Sequence, residues 1–272
     1  MSEVAITLFQ GRVGDHNNLA IPGAKSLAAV LSERLGAGAV VVGTPAPALN
    51  LGWRAELDAA MPALRALAAQ LDQVLARRAK PLTASSRCAA SLATLPVVAR
   101  HRPDACVVWF DAHADLNTPS TTDSGYLGGM ALSGPAGMWE SGLGAGLALP
   151  DIVLVGQRAL DPAELQLIAS GAVTHVPPGA GLAERLRTAV AGRPVYIHLD
   201  CDVLNPGIVP TDYVHENGLS LPELRDTCAV LAESEVIGLE IAEFQNAWEE
   251  GGEPVSPAPL IAALGPVLEA LR

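Results

Sequence analysis

The sequence predicts an α/β fold in which helices cover both faces of a mostly parallel sheet, forming three layers. Short apolar runs alternate with longer amphipathic runs along the whole chain, which is the pattern of repeated β-then-α units. Many of the apolar runs are rich in β-branched residues, as buried parallel strands are. No change of composition marks a linker and no internal repeat is present, so we expect a single domain over residues 1–272.

In the first half of the chain, strands are predicted at compact apolar runs and helices where Ala and Leu recur with helical spacing. In order, the predicted strands are Val4–Phe9, Gly38–Val42, Leu82–Ala84 and Ala105–Phe110. The helices that separate them are predicted at Gly23–Leu35, Leu57–Arg78 and Ala89–Arg100. Ala105–Phe110 combines β-branched and aromatic residues and is therefore predicted to be a buried strand.

The second half repeats the alternation, with Pro162 marking one helix start and Ser220 a plausible N-cap for another. The predicted strands are Ile152–Val155, Val173–Val176, Val195–Leu199 and Val236–Ile241. The predicted helices are Pro162–Ser170, Leu182–Ala191, Leu221–Glu233 and Ala258–Leu271. Residues 117–150, rich in Gly, Thr and Ser, are predicted to be irregular, and long irregular segments in compact domains are usually functional.

Charge and composition narrow the class of partner. The formal net charge is −12, from 17 Lys and Arg against 29 Asp and Glu. A protein without a basic cluster is poorly suited to nucleic acid, so we expect a small-molecule substrate. Neither a membrane span nor a signal peptide is apparent, and the four cysteines form no Cys-x-x-Cys pair. These features favour the cytoplasm, and they leave the oligomeric state open.

Two acidic motifs follow predicted strands and are candidate metal ligands. Asp111, His113 and Asp115 alternate after one strand, and Asp200 and Asp202 follow another. In parallel α/β folds, ligands bind beyond the carboxyl ends of the strands. The alternatives are capping aspartates with a solvated histidine in the first motif, and an exposed turn in the second. Because each motif stands at the end of a predicted strand, the two together favour a metal site over these alternatives. Adjacent buried carboxylates repel each other unless a cation neutralises them.

Five such ligands exceed what one cation usually takes while leaving room for substrate, so we expect two cations about 3.5–4 Å apart. Carboxylate-rich ligation favours Mn²⁺ over Zn²⁺, without excluding Fe, Co or Ni. We expect metal-activated hydroxide to attack an electrophilic carbon. A phosphohydrolase is disfavoured, because neither a glycine-rich phosphate loop nor a basic cluster accompanies the acidic motifs.

The segments Asp111–Asp115 and Asp200–Asp202 resemble the two signature motifs of the arginase/agmatinase (ureohydrolase) superfamily, and the similarity runs roughly over residues 81–246. The resemblance implies an eight-stranded sheet between helices, two Mn²⁺ ions, and hydrolysis of a guanidinium to urea and an amine. It implies that Asp111 and Asp200 bridge the metals. His113 and Asp202 would then hold one metal and Asp115 the other.

The same resemblance implies a substrate with an amino-acid end. Asn117 and Ser124 match positions that grip an α-carboxylate, Asp161 matches the position that reads an α-amino group, and Glu243 matches the carboxylate that faces the guanidinium. Asp115 and Glu243 also match positions with catalytic roles. Each of these residues could instead be a solvated or capping polar residue, and Asn117 could make an Asx-turn.

The sequence departs from the family pattern at three positions. Cys88, in Ser85–Cys88, stands where the family has a histidine ligand, and we expect its thiolate to hold the first metal. The alternative is a small buried hydrophobe, which is the role we expect for Cys106 and Cys228. Gly128 replaces a proton-shuttling histidine. Asn205 replaces an acidic residue, where we expect a changed hydrogen bond rather than a lost ligand.

These departures resemble the branch of the family that converts Nω-hydroxy-L-arginine to hydroxyurea and L-ornithine in D-cycloserine biosynthesis. An extra thiolate charge would weaken the metals as Lewis acids, which suits a guanidine less basic than arginine. Two alternatives remain open: an arginase or other guanidino-acid hydrolase that releases urea, and a metal-free relative that only binds a ligand. We expect His198 to be a satisfied core histidine, with contact to the metal ligands as the alternative, and His215 to be superficial or structural.

Overall fold

The computed structural model describes residues 3–272 and contains one sheet of eight parallel strands. The strands are β1 (Val4–Phe9), β2 (Ala39–Val42), β3 (Lys80–Ser85), β4 (Cys106–Phe110), β5 (Ile152–Val155), β6 (Thr174–Val176), β7 (Val195–Asp200) and β8 (Val236–Ala242). Their order across the sheet is β2-β1-β3-β8-β7-β4-β5-β6, and every pair of neighbours is parallel. All eight predicted strands are present.

Eight helices connect and follow the strands. They are α1 (Ala20–Leu35), α2 (Trp53–Ala76), α3 (Ser91–His101), α4 (Pro162–Ala169), α5 (Leu182–Val190), α6 (Leu221–Leu231), α7 (Ala258–Ala263) and α8 (Gly265–Ala270). The predicted single helix Ala258–Leu271 is wrong, because the chain leaves helical geometry at Leu264 and starts again at Gly265. Pro266 explains the break, since proline lacks an N–H and its ring clashes with a preceding helical turn.

The sheet is apolar on both faces, so its strands read as continuous apolar runs. In β4, Val107 and Trp109 pack into the core on the side of α2 and α3. The alternate residues Val108 and Phe110 pack into the opposite core, with side chains of α1, α5 and α6. This arrangement confirms the predicted three layers. No helix within residues 3–272 is both long enough and apolar enough to cross a bilayer.

Four neighbouring strands in the middle of the sheet position the candidate site. β3, β8, β7 and β4 are parallel and adjacent, so their carboxyl ends meet at one edge. The residues that follow these ends are Cys88 after β3, Glu243 after β8, Asp202 after β7 and Asp111 after β4. Residues up to 155 positions apart in the sequence, such as Cys88 and Glu243, therefore meet at this edge.

Candidate metal centre and substrate cavity

A cavity opens at this edge of the sheet and is lined by most of the polar residues that the sequence singled out. Its walls include Cys88, His113, Asp115, Asn117, Ser124, Gly128, Asp161, Asp200, Asp202 and Glu243. Thr122, Tyr126, Gly129, Glu164 and Tyr213 complete them. Asp111 lies beneath the cavity and is fully buried.

The candidate ligands form two groups of three that share Asp111. In one group, donor atoms of Cys88, Asp111 and Asp115 lie within 4.8 Å of one another, and in the other, donor atoms of Asp111, His113 and Asp202 do so. A third group joins Cys88 and Glu243 to Asp200. Carboxylate, imidazole and thiolate donors in these numbers fit two neighbouring divalent cations.

Short hydrogen bonds fix the carboxylates. Trp109 Nε1 donates to Asp111 Oδ2 at 2.9 Å. Asp200 caps the 3₁₀ turn that follows β7, because its Oδ1 accepts the backbone N–H of Asp202 at 2.7 Å. Oδ1 of Asp202 accepts the N–H of Ala112 at 2.8 Å. The two acidic motifs are thus tied to each other and buried, so neither is the exposed turn or simple cap considered from the sequence.

The electrostatics indicate a site in which buried carboxylates outnumber the positive charges beside them. Burial, with repulsion from Asp202, raises the pKa of Asp111 to about 7. Burial and neighbouring carboxylates also raise the pKa of Asp115 and of Asp200 well above the ordinary range. Burial alone would lower the pKa of His113, but the carboxylates of Asp111 and Asp202 outweigh it and raise that pKa to about 12. Bound cations would relieve this repulsion.

Cys88 is buried between the acidic cluster and a histidine. Its Sγ donates to Oδ2 of Asp200 at 2.8 Å and lies 3.1 Å from Nε2 of His198. Nδ1 of His198 is 2.7 Å from Oε1 of Glu240, and the imidazole stacks on Trp109 with centroids 3.5 Å apart. His198 is thus a buried, hydrogen-bonded core histidine that also contacts the sulfur of a candidate ligand. Cys201, by contrast, packs in the opposite apolar core.

Glu243 is already paired within the protein. Its Oε2 accepts from Nη1 of Arg87 at 2.8 Å, and its Oε1 accepts the N–H of Cys88 at 2.9 Å. Arg87 is fully buried and also contacts Asp15 and Asp212, at 3.2 and 2.9 Å. Arg87 was not among the predicted site residues. Its sequence signal is that of a charged residue beside Cys88 in a segment of otherwise small residues.

The four predicted substrate-reading residues all lie on the cavity wall. Nδ2 of Asn117 donates to Oδ2 of Asp161 at 2.7 Å, so two of them form a pair. Asp161 is also the N-cap of α4, in a capping box with Glu164. Ser124 Oγ accepts the N–H of Tyr126 at 3.2 Å. Hydroxyl, amide and carboxylate groups at this rim can bind both charges of an amino acid.

Two tyrosines and one histidine of the site were not predicted from the sequence. Tyr126 and Tyr213 line the cavity, and Nε2 of His215 lies 3.0 Å from Nε2 of His113. His215 is therefore a neighbour of a candidate ligand rather than a superficial residue. Tyr213 and His215 lie in the irregular segment between β7 and α6, where no periodic pattern points to a partner. Asn205 is outside the cavity walls, and its Oδ1 accepts the N–H of Gly218 at 2.9 Å.

Two site residues adopt a left-handed backbone that side chains other than glycine rarely take. Asp115 has φ 52° and Glu243 has φ 64°. Strained backbone of this kind persists where the surrounding structure enforces it, and it clusters at functional sites. Here it directs the two carboxylates into the cavity that they line.

Comparison with known proteins agrees with this geometry. The family model of the arginase family matches residues 14–258. A curated Nω-hydroxy-L-arginine amidinohydrolase of Streptomyces lavendulae is 39% identical over 267 residues, which cover 98% of each chain. The arginase of Bacillus caldovelox is 29% identical over 228 residues, covering 77% of this chain and 75% of the relative.

Solved structures share the fold at lower identity. The native structure of Bacillus caldovelox arginase covers 100% of this chain and 98% of its own, with a TM-score of 0.80 and 24% identity. Proclavaminate amidino hydrolase from Streptomyces clavuligerus covers 99% and 92%, with a TM-score of 0.76 and 18% identity. The eight-stranded parallel sheet, the acidic centre at its carboxyl edge and the family match agree, and the chain belongs to the arginase family.

Proposed function

We propose that this arginase-family hydrolase converts Nω-hydroxy-L-arginine and water to hydroxyurea and L-ornithine. The bond between the guanidino carbon and Nδ of the ornithine part breaks, water supplies the oxygen on that carbon, and Nδ leaves with a proton. The observation that carries the proposal is the position of Cys88, whose sulfur belongs to two buried donor groups, one with Asp111 and Asp115 and one with Asp200 and Glu243. The amidinohydrolase named above, similar over 98% of the chain, supports the same substrate.

The proposed ligands are Cys88, Asp111, His113, Asp115, Asp200 and Asp202, and the proposed metal is Mn²⁺. Asp111 would belong to both metal sites, since it is common to both donor groups. Asp200 would be the second bridge. A pair of divalent cations lowers the pKa of water and orients it toward an electrophilic carbon.

The protein's own residues orient the amino acid. In the proposal Asn117 and Ser124 hold the α-carboxylate, and Asp161 holds the α-ammonium group. Glu243 would face the guanidino end, and Asp115 would serve both as a ligand and as a catalytic carboxylate; both residues line the cavity. Glu243 already accepts a hydrogen bond from the Arg87 guanidinium, so its negative charge is balanced without a cationic group on the substrate. That arrangement suits a hydroxyguanidine, which is less basic than the guanidine of arginine.

Side-by-side turnover tests the substrate. The Mn²⁺-loaded protein is supplied with hydroxyarginine or arginine, and ornithine, hydroxyurea and urea are quantified by mass spectrometry. We expect kcat/KM for hydroxyarginine to exceed that for arginine. Equal or greater kcat/KM for arginine would indicate an ordinary arginase. No turnover together with no stoichiometric metal would indicate a binding protein.

Cobalt substitution tests the sulfur ligand. A thiolate bound to Co²⁺ gives a strong ultraviolet charge-transfer band. We expect the band in the wild type and in Cys201→Ser, which alters a cysteine of the opposite core, and its loss in Cys88→Ser. Persistence of the band in Cys88→Ser would remove Cys88 from the ligand set.

We also propose the cytoplasm as the compartment and D-cycloserine biosynthesis as the setting. Four free, buried cysteines suit a reducing environment. The departures at Cys88 and Gly128 support the hydroxyarginine branch of the family. A single domain over residues 1–272, acting on a small molecule, remains our prediction.

A further inference from the structure

We propose that Tyr126 is a specificity residue, whose phenol hydroxyl hydrogen-bonds the N-hydroxyl that distinguishes a hydroxyguanidine from a guanidine. The inference rests on the proposed function and adds to it the residue that reads the extra oxygen. The α-group contacts do not distinguish hydroxyarginine from arginine, because the two substrates are the same at those positions.

The first observation is an unsatisfied hydroxyl. Tyr126 lines the cavity together with Cys88 and Glu243. Its Oη is buried and has no hydrogen-bond partner among the residues that the structure describes. A buried hydroxyl without a partner is destabilising, and the group keeps both a donor and an acceptor available for a ligand.

The second observation is the space that the ring occupies. A Cβ added to Gly128 would lie 2.3 Å from Cε1 and 2.7 Å from Cζ of Tyr126, far inside van der Waals contact. Gly128 is not among the residues with positive φ, so its backbone does not demand glycine. Position 128 therefore requires glycine for a steric reason, because the ring of Tyr126 occupies the space that a side chain at 128 would need.

The third observation is that neighbours hold the ring. The imidazole of His16 lies 4.3 Å from the ring centroid and Tyr213 lies 5.9 Å from it. The backbone N–H of Tyr126 donates to Ser124 Oγ at 3.2 Å, which links the phenol to a residue proposed to bind the α-carboxylate. The hydroxyl is thus presented from a fixed position, as a group that reads one substrate atom should be.

The N–OH of the substrate fits this hydroxyl. It offers one donor and two acceptors, so either oxygen can donate to the other. A site built to hydrogen-bond a hydroxyl discriminates against the analogue that lacks it, because its own polar group is then left unpaired. Arginine, without the hydroxyl, would leave Oη of Tyr126 unsatisfied.

The test is Tyr126→Phe, which removes one oxygen and keeps the ring. In the Mn²⁺-loaded protein, we expect the ratio of kcat/KM for hydroxyarginine to that for arginine to fall on the order of ten-fold, with arginine turnover nearly unchanged. Tyr213→Phe, which alters another tyrosine of the cavity wall, is the matched comparison and should lower the ratio less than Tyr126→Phe does. An unchanged ratio in Tyr126→Phe, or an equal loss for both substrates, would overturn the inference.

Gly128→Ala provides a second, independent arm, because the added methyl must displace the ring without removing the hydroxyl. We expect the same ratio to fall in Gly128→Ala and to change little further when the substitution is made in Tyr126→Phe. Full additivity of the two effects would also overturn the inference. If the wild type does not turn over hydroxyarginine, the proposed function fails; if it does and these variants keep the ratio, only the inference fails.

Discussion

Nε2 of His198 lies 3.1 Å from Sγ of Cys88, although the two residues are 110 positions apart. On the other side of the imidazole, Nδ1 of His198 lies 2.7 Å from Oε1 of Glu240. Ser91 and Thr94 donate to the two oxygens of Glu240, so that carboxylate is itself fixed. A chain of buried polar contacts therefore supports the sulfur: His198 contacts it, Glu240 contacts His198, and Ser91 and Thr94 contact Glu240.

Removing the charge of this support should weaken metal binding. We expect Glu240→Gln to reduce Mn²⁺ affinity about 10- to 100-fold, the usual cost of losing a partner that orients a ligand. Titration of the metal-free protein with Mn²⁺, followed by calorimetry, measures the change. Thr94→Val is the matched control, because it removes one hydrogen bond to Glu240 and leaves the carboxylate in place. Equal effects of the two substitutions would contradict the role of the charge.

Asp200 should be indispensable for the metal pair. We expect Asp200→Asn to lose bound metal and to lower kcat/KM by more than the roughly 100-fold that accompanies loss of an orienting partner, because a proposed bridge disappears. Metal content by mass spectrometry and turnover are measured on the same sample. Asp226→Asn changes an exposed carboxylate and should leave both unchanged. Full metal content in Asp200→Asn would rule Asp200 out as a bridge.

Arg87 should contribute more to stability than an ordinary ion-paired arginine. Arg87→Met would leave Asp15, Glu243 and Asp212 without their buried partner. We expect the free energy of unfolding in urea to fall by about 3–5 kcal/mol, as for other buried pairs that lose one member. Arg102→Met, at a more exposed pair with Glu235, should cost no more than about 1 kcal/mol. Similar losses in the two variants would contradict this assignment.

The metal-free protein should lose stability as the pH rises. Burial raises the pKa of Asp111 from 3.8 to about 7, so the folded chain binds this proton more tightly than the unfolded chain does. Its contribution is fully present below about pH 4 and disappears as the pH rises through about 7. After treatment with chelator, we expect Tm to fall over this interval.

Added Mn²⁺ should raise Tm most at the upper end of the same interval, because the cation and the proton compete for the carboxylate. Scanning fluorimetry at constant ionic strength measures both trends. Asp111→Asn, which cannot release a proton at this position, should flatten the Tm profile of the metal-free protein. A stabilisation by Mn²⁺ that is equal at every pH would contradict the competition.

Much of the fold was predictable because its signals are local. The six strands between the edge strands β2 and β6 are mainly apolar runs buried on both faces, and the aspartates of the centre stand at the ends of two of them. The break at Leu264 was missed although Pro266 was visible, because the apolar periodicity continues across it. Proline alone does not decide such a break, because α2 and α3 continue through Pro62 and Pro96, although proline disfavours the helix interior.

The rest of the site depends on long-range contacts that no local pattern encodes. Arg87 meets Asp212 from 125 positions away, and His215 meets His113 across 102 positions. Both Asp212 and His215 lie in an irregular segment, where side-chain direction follows from the folded loop and not from a repeat. The sequence could identify the ligands at the strand ends, whereas their supporting residues became apparent only in three dimensions.

The left-handed backbone at Asp115 sets stability against activity in this molecule. Glycine at this position would relieve strain of about 1–3 kcal/mol and would also delete a buried carboxylate. A laboratory selection for heat resistance alone would thus reward variants that have discarded their chemistry. Durability and turnover compete at this residue, and an engineer who wants both must gain robustness elsewhere in the chain.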